Sequence, residues 1–168
     1  MGRNRLFDDD VIVIGLGRFG SAVALELTRL GHRVIAVERD NAIAESYVNK
    51  VAKVVHADLS HATGLDMIRD AEPKIAIVGI GSSVESSVLA AANLVDAGVP
   101  SIWAKALSPE HKRILDRIGV HHVISPDADS GRRVAHLVNG KLPHYIEFDD
   151  GFSIVLFNTP SETLGVTL

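Results

Sequence analysis

The chain has 168 residues, 46% of them apolar and 23% charged, with a formal net charge of −4 and no cysteine. That length and apolar content can bury one core and part of a second lobe. Without Cys there is no disulfide framework, thiolate zinc site or thiol nucleophile, and an acidic chain lacking a Lys/Arg cluster among aromatics speaks against nucleic acid.

The first ten residues run from basic to acidic before any apolar stretch, which does not read as a signal peptide. Leu6 stands where myristoylation would want Ser or Thr. The first element is Val11–Ile14, an apolar run that reads as a buried strand. The run GLGRFG follows, from Gly15 through Leu16, Gly17, Arg18 and Phe19 to Gly20, and opens an amphipathic helix with Phe19, Val23, Leu27 and Leu30 at helical spacing. G-x-G-x-x-G at a strand-to-helix turn is a nucleotide fingerprint. Gly15 permits the turn, Gly17 lets a phosphate approach the backbone, and Gly20 lets the helix pack on its strand. The helix N-terminus then presents free N–H groups and a positive dipole end to the anion. Arg18 takes the first helical position, where a cation suggests extra phosphate charge to neutralise.

Val34–Val37 is the second strand, and it ends in Glu38, near the spacing at which an acid meets the ribose hydroxyls. An acid there disfavours a 2′-phosphate, so NAD, ATP or ADP are preferred over NADP, although Arg39 keeps NADP open. Val54–Val55 is a third strand leading to Ala57 and Asp58, beside the expected adenine position. Asp58 reads equally as a bond to the base edge and as a cap for the segment after Ser60. Ile75–Val78 ends in Gly79, Ile80 and Gly81, where the backbone can approach a ribose or phosphate at the switch point of the sheet. Ile75 to Val95 is the best candidate membrane span, and Ser82, Ser83, Glu85, Ser86 and Ser87 break it.

Ser82 with Glu85 forms a capping-box pattern, and Ser108-Pro109 places an N-cap before a helical proline. Gly31, Gly98 and Gly119 each end a helical pattern just before a strand. Ile102–Ala104 ends in Lys105, facing the same crevice, and Trp103 within it reads as core. Ile114, Leu115 and Ile118 recur at helical spacing before the sixth strand, Val123–Ile124. Strands without polar alternation are buried on both faces. The fold class is therefore α/β, a Rossmann-like doubly wound parallel sheet of six strands.

After Ser125-Pro126 the rhythm changes to a crossover helix from Asp127 to Val138, ended by Asn139-Gly140. His144–Phe148 and Phe152–Phe157 then read as a short antiparallel hairpin around Asp149-Asp150-Gly151. The expected organisation is a nucleotide-binding domain over 1–140, with a hairpin and linker over 141–168. The eight histidines show no ligand spacing, since adjacent His121 and His122 point to opposite faces of a strand. Tyr47 and Lys50 are three apart, on the wrong segment for a reductase pair.

Several stretches together resemble an RCK domain, also called KTN, and among these the cytosolic subunits of Ktr and Trk potassium uptake systems. They are VIVIGLGRFGSAVALEL, HRVIAVERD, the strand ending in HADLSH, KIAIVGIGSSVESSVLAA, PSIWAKALSPEHKRILDRIGVHHVISPDADSGRRVA and the YIEF…FSIVLF pair. The likeness runs over about residues 10 to 158. GLGRFG alone is not specific, whereas IWAKA followed by H-K-x-x-L-x-x-x-G and SP-D-x-D-x-G is much more so.

The resemblance implies a homodimer assembling into an octameric ring, one ATP/ADP or NAD(H) per domain, and a membrane potassium channel or transporter subunit as partner. It implies a cytoplasmic protein, peripheral to the inner membrane through that partner, with no membrane insertion of its own. It also implies that Arg18 reaches a terminal phosphate, including that of a neighbouring subunit's nucleotide, and that Lys105 lies near the nucleotide. The position of Asp127 often holds Glu in the family and can take part in divalent-cation binding. Aspartate is one methylene shorter and two carboxylates are too few for a hard cation, so helix capping is the simpler role. Full-length members carry a C-terminal ligand-binding lobe, which makes these residues the expected piece of a longer regulator.

Two rival functions stand beside a non-catalytic sensor. The cofactor domain of an NAD-dependent oxidoreductase would need a substrate domain and a positioned acid or base. Only about forty residues follow Ile124, and no His-Asp or Tyr-Lys constellation falls in the crevice. A redox-responsive repressor would need a helix-turn-helix and a basic face.

Overall fold

The computed structural model describes residues 11–61 and 68–139, together with the backbone of 144–147 and 153–156. The turn expected at 149–151 and the tail from 160 lie outside the described residues. The chain divides into two compact units, Met1–Ser125 and Pro126–Leu168.

The first unit is a six-stranded, all-parallel sheet with helices between the strands. In chain order its elements are β1 (Val11–Ile14), α1 (Arg18–Arg29), β2 (Val34–Glu38), α2 (Asn41–Tyr47), β3 (Lys53–His56), β4 (Ile75–Val78), α3 (Val84–Asp96), β5 (Ser101–Lys105), α4 (Pro109–Arg117) and β6 (His122–Ile124). The strands lie in the order β3-β2-β1-β4-β5-β6. β1 pairs with β2 from Val11↔Val34 to Ile14↔Val37 and with β4 from Val11↔Ile75 to Ile14↔Val78. The order reverses between β1 and β4, and that crevice is where a doubly wound sheet takes its ligand.

The apolar runs are continuous because both faces of the sheet are covered. Ile12, Ile14, Val78, Ile102 and Ala104 face one way and pack with Ala90, Ala91 and Leu94 of α3 and Leu115 of α4. Val11, Val13, Val34 and Ala36 face the other way and meet Ala24 of α1. Phe19, Val23 and Leu27 pack on this second cluster, but Leu30 is 53% exposed. It is the C-cap of α1, past the last turn that the sheet covers.

Gly31, Gly98 and Gly119 all have positive φ. The residue after each donates back to the helix it ends, as in His32 N–H to the Leu27 carbonyl, so each forms a Schellman stop. The N-caps are side chains: Asp40 accepts from Ile43 N–H at 3.0 Å and Ser108 from His111 N–H at 3.2 Å. The cap of α3 is Ser83, whose Oγ accepts from Ser86 N–H at 3.1 Å, so Ser82 is not the cap. Both serines were available, and the helix starts one residue later than the capping-box spacing indicated.

Trp103 departs from the core expectation. In β5 only Ile102 and Ala104 are fully buried, while Trp103 is 38% exposed. Its ring stacks on His122, the cross-strand partner, with centroids 4.1 Å apart and planes at 22°. His121, just before β6, accepts the Ile102 N–H at Nδ1, 3.1 Å.

The second unit holds α5 (Pro126–Val138) and two strands, β7 (His144–Glu147) and β8 (Ser153–Leu156), which pair antiparallel from His144↔Leu156 to Glu147↔Ser153. Val134, Leu137 and Val138 of α5 are 56%, 41% and 80% exposed.

Candidate functional site

The carboxyl ends of β1, β2, β4 and β5 and the segment after β3 surround one cleft of about 480 Å³, within the range of small-molecule sites. Its floor is built by backbone packed on backbone. Gly15 has φ +86°, and a Cβ there would lie 3.2 Å from Ile80. A Cβ on Gly20 would lie 1.8 Å from the Gly15 carbonyl oxygen, and one on Gly79 3.0 Å from the Gly20 Cα. The Gly15 N–H reaches the Val37 carbonyl and the Gly79 N–H the Ile14 carbonyl, each at 2.8 Å. The loop is thereby fastened to both neighbouring strands.

Gly17 differs from its companions, with no atom within 4 Å of where its Cβ would stand. It is the N-cap of α1, with no side-chain cap and no acid in the first turn. The first N–H groups of a helix have no partner within it, and here nothing from the side chains replaces one. Gly15, Gly17, Arg18 and Phe19 line the cleft together with Gly79, Ile80 and Gly81. Leu16 and Gly20 belong to the same loop but not to the lining. Gly20 lies beneath Gly15, and Leu16 is 3% exposed with its side chain in the second core cluster.

Glu38 is 8% exposed and faces the loop from the end of β2. Its Oε2 accepts from Leu16 N–H at 2.6 Å, while Oε1 accepts from Arg39 N–H at 2.9 Å and Asp40 N–H at 3.0 Å. Arg39 reaches from β2 past β1, and its Nη2 donates to Ser82 Oγ at 3.3 Å. Ala57 lines the cleft and donates its N–H to the Glu38 carbonyl at 3.0 Å. Asp58 also lines it, and Oδ1 accepts from the Ser60 hydroxyl at 2.6 Å and the Ser60 N–H at 2.9 Å. Those bonds, the hydroxyl first, hold the carboxyl below its ordinary value. Asp58 thus caps the turn at Ser60 and also lines the cleft. Lys105 lines the far side, with Nζ 5.9 Å from the centre of the Phe19 ring.

Asp40, Ile43, Leu59, Ser82 and Ser86 line the cleft too and were not foreseen. For the serines there was a usable signal. Ser82 directly follows the Gly-Ile-Gly strand end, and Ser86 stands in the first turn of the helix that starts there. Asp127 is the second residue of α5, inside the first turn, not at the cap. Among the described residues no group of three or more His, Asp or Glu comes together to hold a metal ion.

The residues present fit an adenine nucleotide. The lining offers what such a ligand would need: an uncapped helix start, the cations of Arg18, Arg39 and Lys105, and the acceptor oxygens of Glu38. Relatives of known system match the chain over most of its length. Ktr system potassium uptake protein A of Bacillus subtilis (strain 168) is 32% identical over 152 residues, covering 90% of this chain and 68% of that protein. The protein of the same description from Vibrio alginolyticus is 32% identical over 162 residues, covering 96% and 74%. Among solved structures, GsuK bound to ADP superposes with a TM-score of 0.63 at 23% identity, over 80% of this chain and 35% of that one. The GsuK channel bound to NAD superposes with 0.63 at 17%, over 79% and 24%. At those identities they share the fold. The model of the TrkA-N domain matches residues 11–126, from the first strand of the sheet to the first residue of α5. With that match laid over the sheet and its glycine loop, the chain belongs to the TrkA-N family.

Proposed function

We propose that this chain is a non-catalytic regulatory domain that binds an adenine nucleotide, ATP/ADP or NAD/NADH, and so controls a potassium channel or transporter subunit in the membrane. One observation carries the reading. The start of α1 opens without a side-chain cap onto a cleft that the buried Glu38 carboxylate also lines. That arrangement suits a ligand with phosphate at one end and ribose at the other. The names of the Ktr relatives supply the potassium-uptake context.

In this reading the Gly15–Gly20 bend holds the inner phosphates, and Gly79–Gly81 lets the chain approach from the other side. Glu38 accepts from the ribose, Ala57 and Asp58 lie towards the base, and Arg18 and Lys105 meet the outer phosphate charge. Regulation needs only that two nucleotides differ in affinity for two arrangements of an assembly. A homodimer, and a ring of dimers, supplies such arrangements. The exposed Val134, Leu137 and Val138 on α5 are the kind of apolar face an assembly covers.

Titration calorimetry with ATP and ADP tests it. Arg18→Ala is expected to weaken ATP about tenfold more than ADP, the scale of one hydrogen bond to a charged group. Equal losses for both would remove Arg18 from the terminal phosphate. A wild-type protein that takes up no adenylate, or that turns over a reduced nicotinamide, overturns the reading as a whole.

A further inference from the structure

We propose that Glu38 is a positioning residue for the phosphate loop, holding the Gly15–Gly20 bend against β2 through the main-chain N–H of Leu16, in addition to any bond it makes to a ribose. The ligand half of this inference rests on the nucleotide reading above. The loop-holding half does not.

The two residues are 22 positions apart and lie at the ends of adjacent strands. Their bond, 2.6 Å from a main-chain N–H to a carboxylate oxygen, is of the charge-assisted kind, stronger than one between neutral groups. Glu38 is 8% exposed and Leu16 3%, so water competes poorly for either partner. The Leu16 side chain is anchored in the core under the loop. Its N–H therefore cannot turn outward to find another acceptor without pulling that side chain from its cluster. On the other side, Oε1 accepts from both Arg39 and Asp40 N–H, which fixes the carboxylate to its own turn. The carboxylate thus joins two segments and lets neither move independently.

The count of acceptor sites points the same way. A carboxylate offers about four lone-pair positions, and three are occupied by main-chain N–H groups. A group serving only to accept from a ribose diol would not be committed in this manner. One position is left for the sugar, and the rest hold the shape of the loop that receives the phosphates.

The test uses wild type, Glu38→Gln and Glu38→Ala, with two readouts. The first is amide hydrogen exchange at Leu16 without any ligand, with Ala104 in β5 as the reference for an intact sheet. The second is the affinity for inorganic tripolyphosphate, which carries phosphates and no ribose. Glutamine keeps the shape but has one acceptor oxygen, and its NH₂ must face some of the same donors. In both variants Leu16 exchange is expected to quicken by about tenfold or more while Ala104 stays protected, and tripolyphosphate is expected to bind several-fold more weakly. Unchanged Leu16 exchange in both variants overturns the proposal. So does an unchanged tripolyphosphate affinity alongside weakened ATP, because Glu38 would then act on the ribose alone. If wild type binds neither ATP nor tripolyphosphate, the nucleotide reading fails, and Leu16 exchange alone decides the positioning role.

Discussion

Gly17 and Gly20 are three residues apart in one loop, yet a methyl group would have opposite consequences at the two positions. At Gly20 it would collide with the Gly15 carbonyl oxygen at 1.8 Å, and neither partner is a flexible side-chain end that can swing aside. Gly20→Ala is expected to cost about 3 kcal/mol, the upper part of the overpacking range, read as a lower urea midpoint with an unchanged slope. At Gly17 the methyl group would enter open space. Gly17→Ala should cost no more than about 1 kcal/mol, the difference between those residues at an N-cap, while weakening nucleotide binding in calorimetry. Equal stability losses would mean that the two glycines do the same job. Leu16 adds a third kind of loop residue, whose side chain belongs to the core and whose N–H belongs to Glu38.

The described helix starts of the first unit are of two kinds. α2, α3 and α4 are capped by Asp40, Ser83 and Ser108, each side-chain oxygen satisfying an N–H that the helix leaves open. α1 has no such cap and opens at the cleft. Ser82 and Ser83 offer a direct check on this division of labour. Ser83→Ala should destabilise the fold by about 1 kcal/mol through the lost cap. Ser82→Ala should stay within about 0.5 kcal/mol, since its bond to the Arg39 guanidinium is exposed. Chemical denaturation of the two variants side by side measures this. A larger loss at Ser82 would put the start of α3 one residue earlier.

For the molecule as a whole, a buried histidine links stability to pH. His111 is 1% exposed at the third position of α4, and its Nδ1 accepts the Leu107 N–H at 3.2 Å. Burial alone pushes its pKa below the ordinary value. Between that folded value and the unfolded value near 6.5, the unfolded chain binds more protons than the folded one, so stability falls as pH drops. Thermal unfolding should therefore show a falling Tm from about pH 7 downward that is shallower in His111→Gln. Glutamine keeps an acceptor for the Leu107 N–H and does not titrate. Asp58 acts in a separate window. Its lowered pKa adds stability that is present above about pH 4 and lost on further acidification. A His111→Gln profile parallel to wild type between pH 7 and 5 would show that burial of His111 does not set the slope.

By itself the amino-acid order determined the α/β class, the six strands, the glycine stops at Gly31, Gly98 and Gly119, and the three members of the fingerprint. These are local signals: a run of apolar residues, a helical spacing, a glycine where φ must be positive, a fixed distance from Gly20 to Glu38. The tertiary structure decided what depends on neighbours brought together by crossovers. β2 and β4 flank β1 although they are far apart in the chain, which is why Arg39 meets Ser82 and why Asp40, Ile43, Leu59 and Ser86 join the cleft. Trp103 looked like core because its strand is apolar, but exposure depends on what covers that part of the sheet. Glu38 was readable as an acid at the right place, whereas its grip on Leu16 was not. A hydrogen bond between the ends of two adjacent strands exists only once the sheet has set their register.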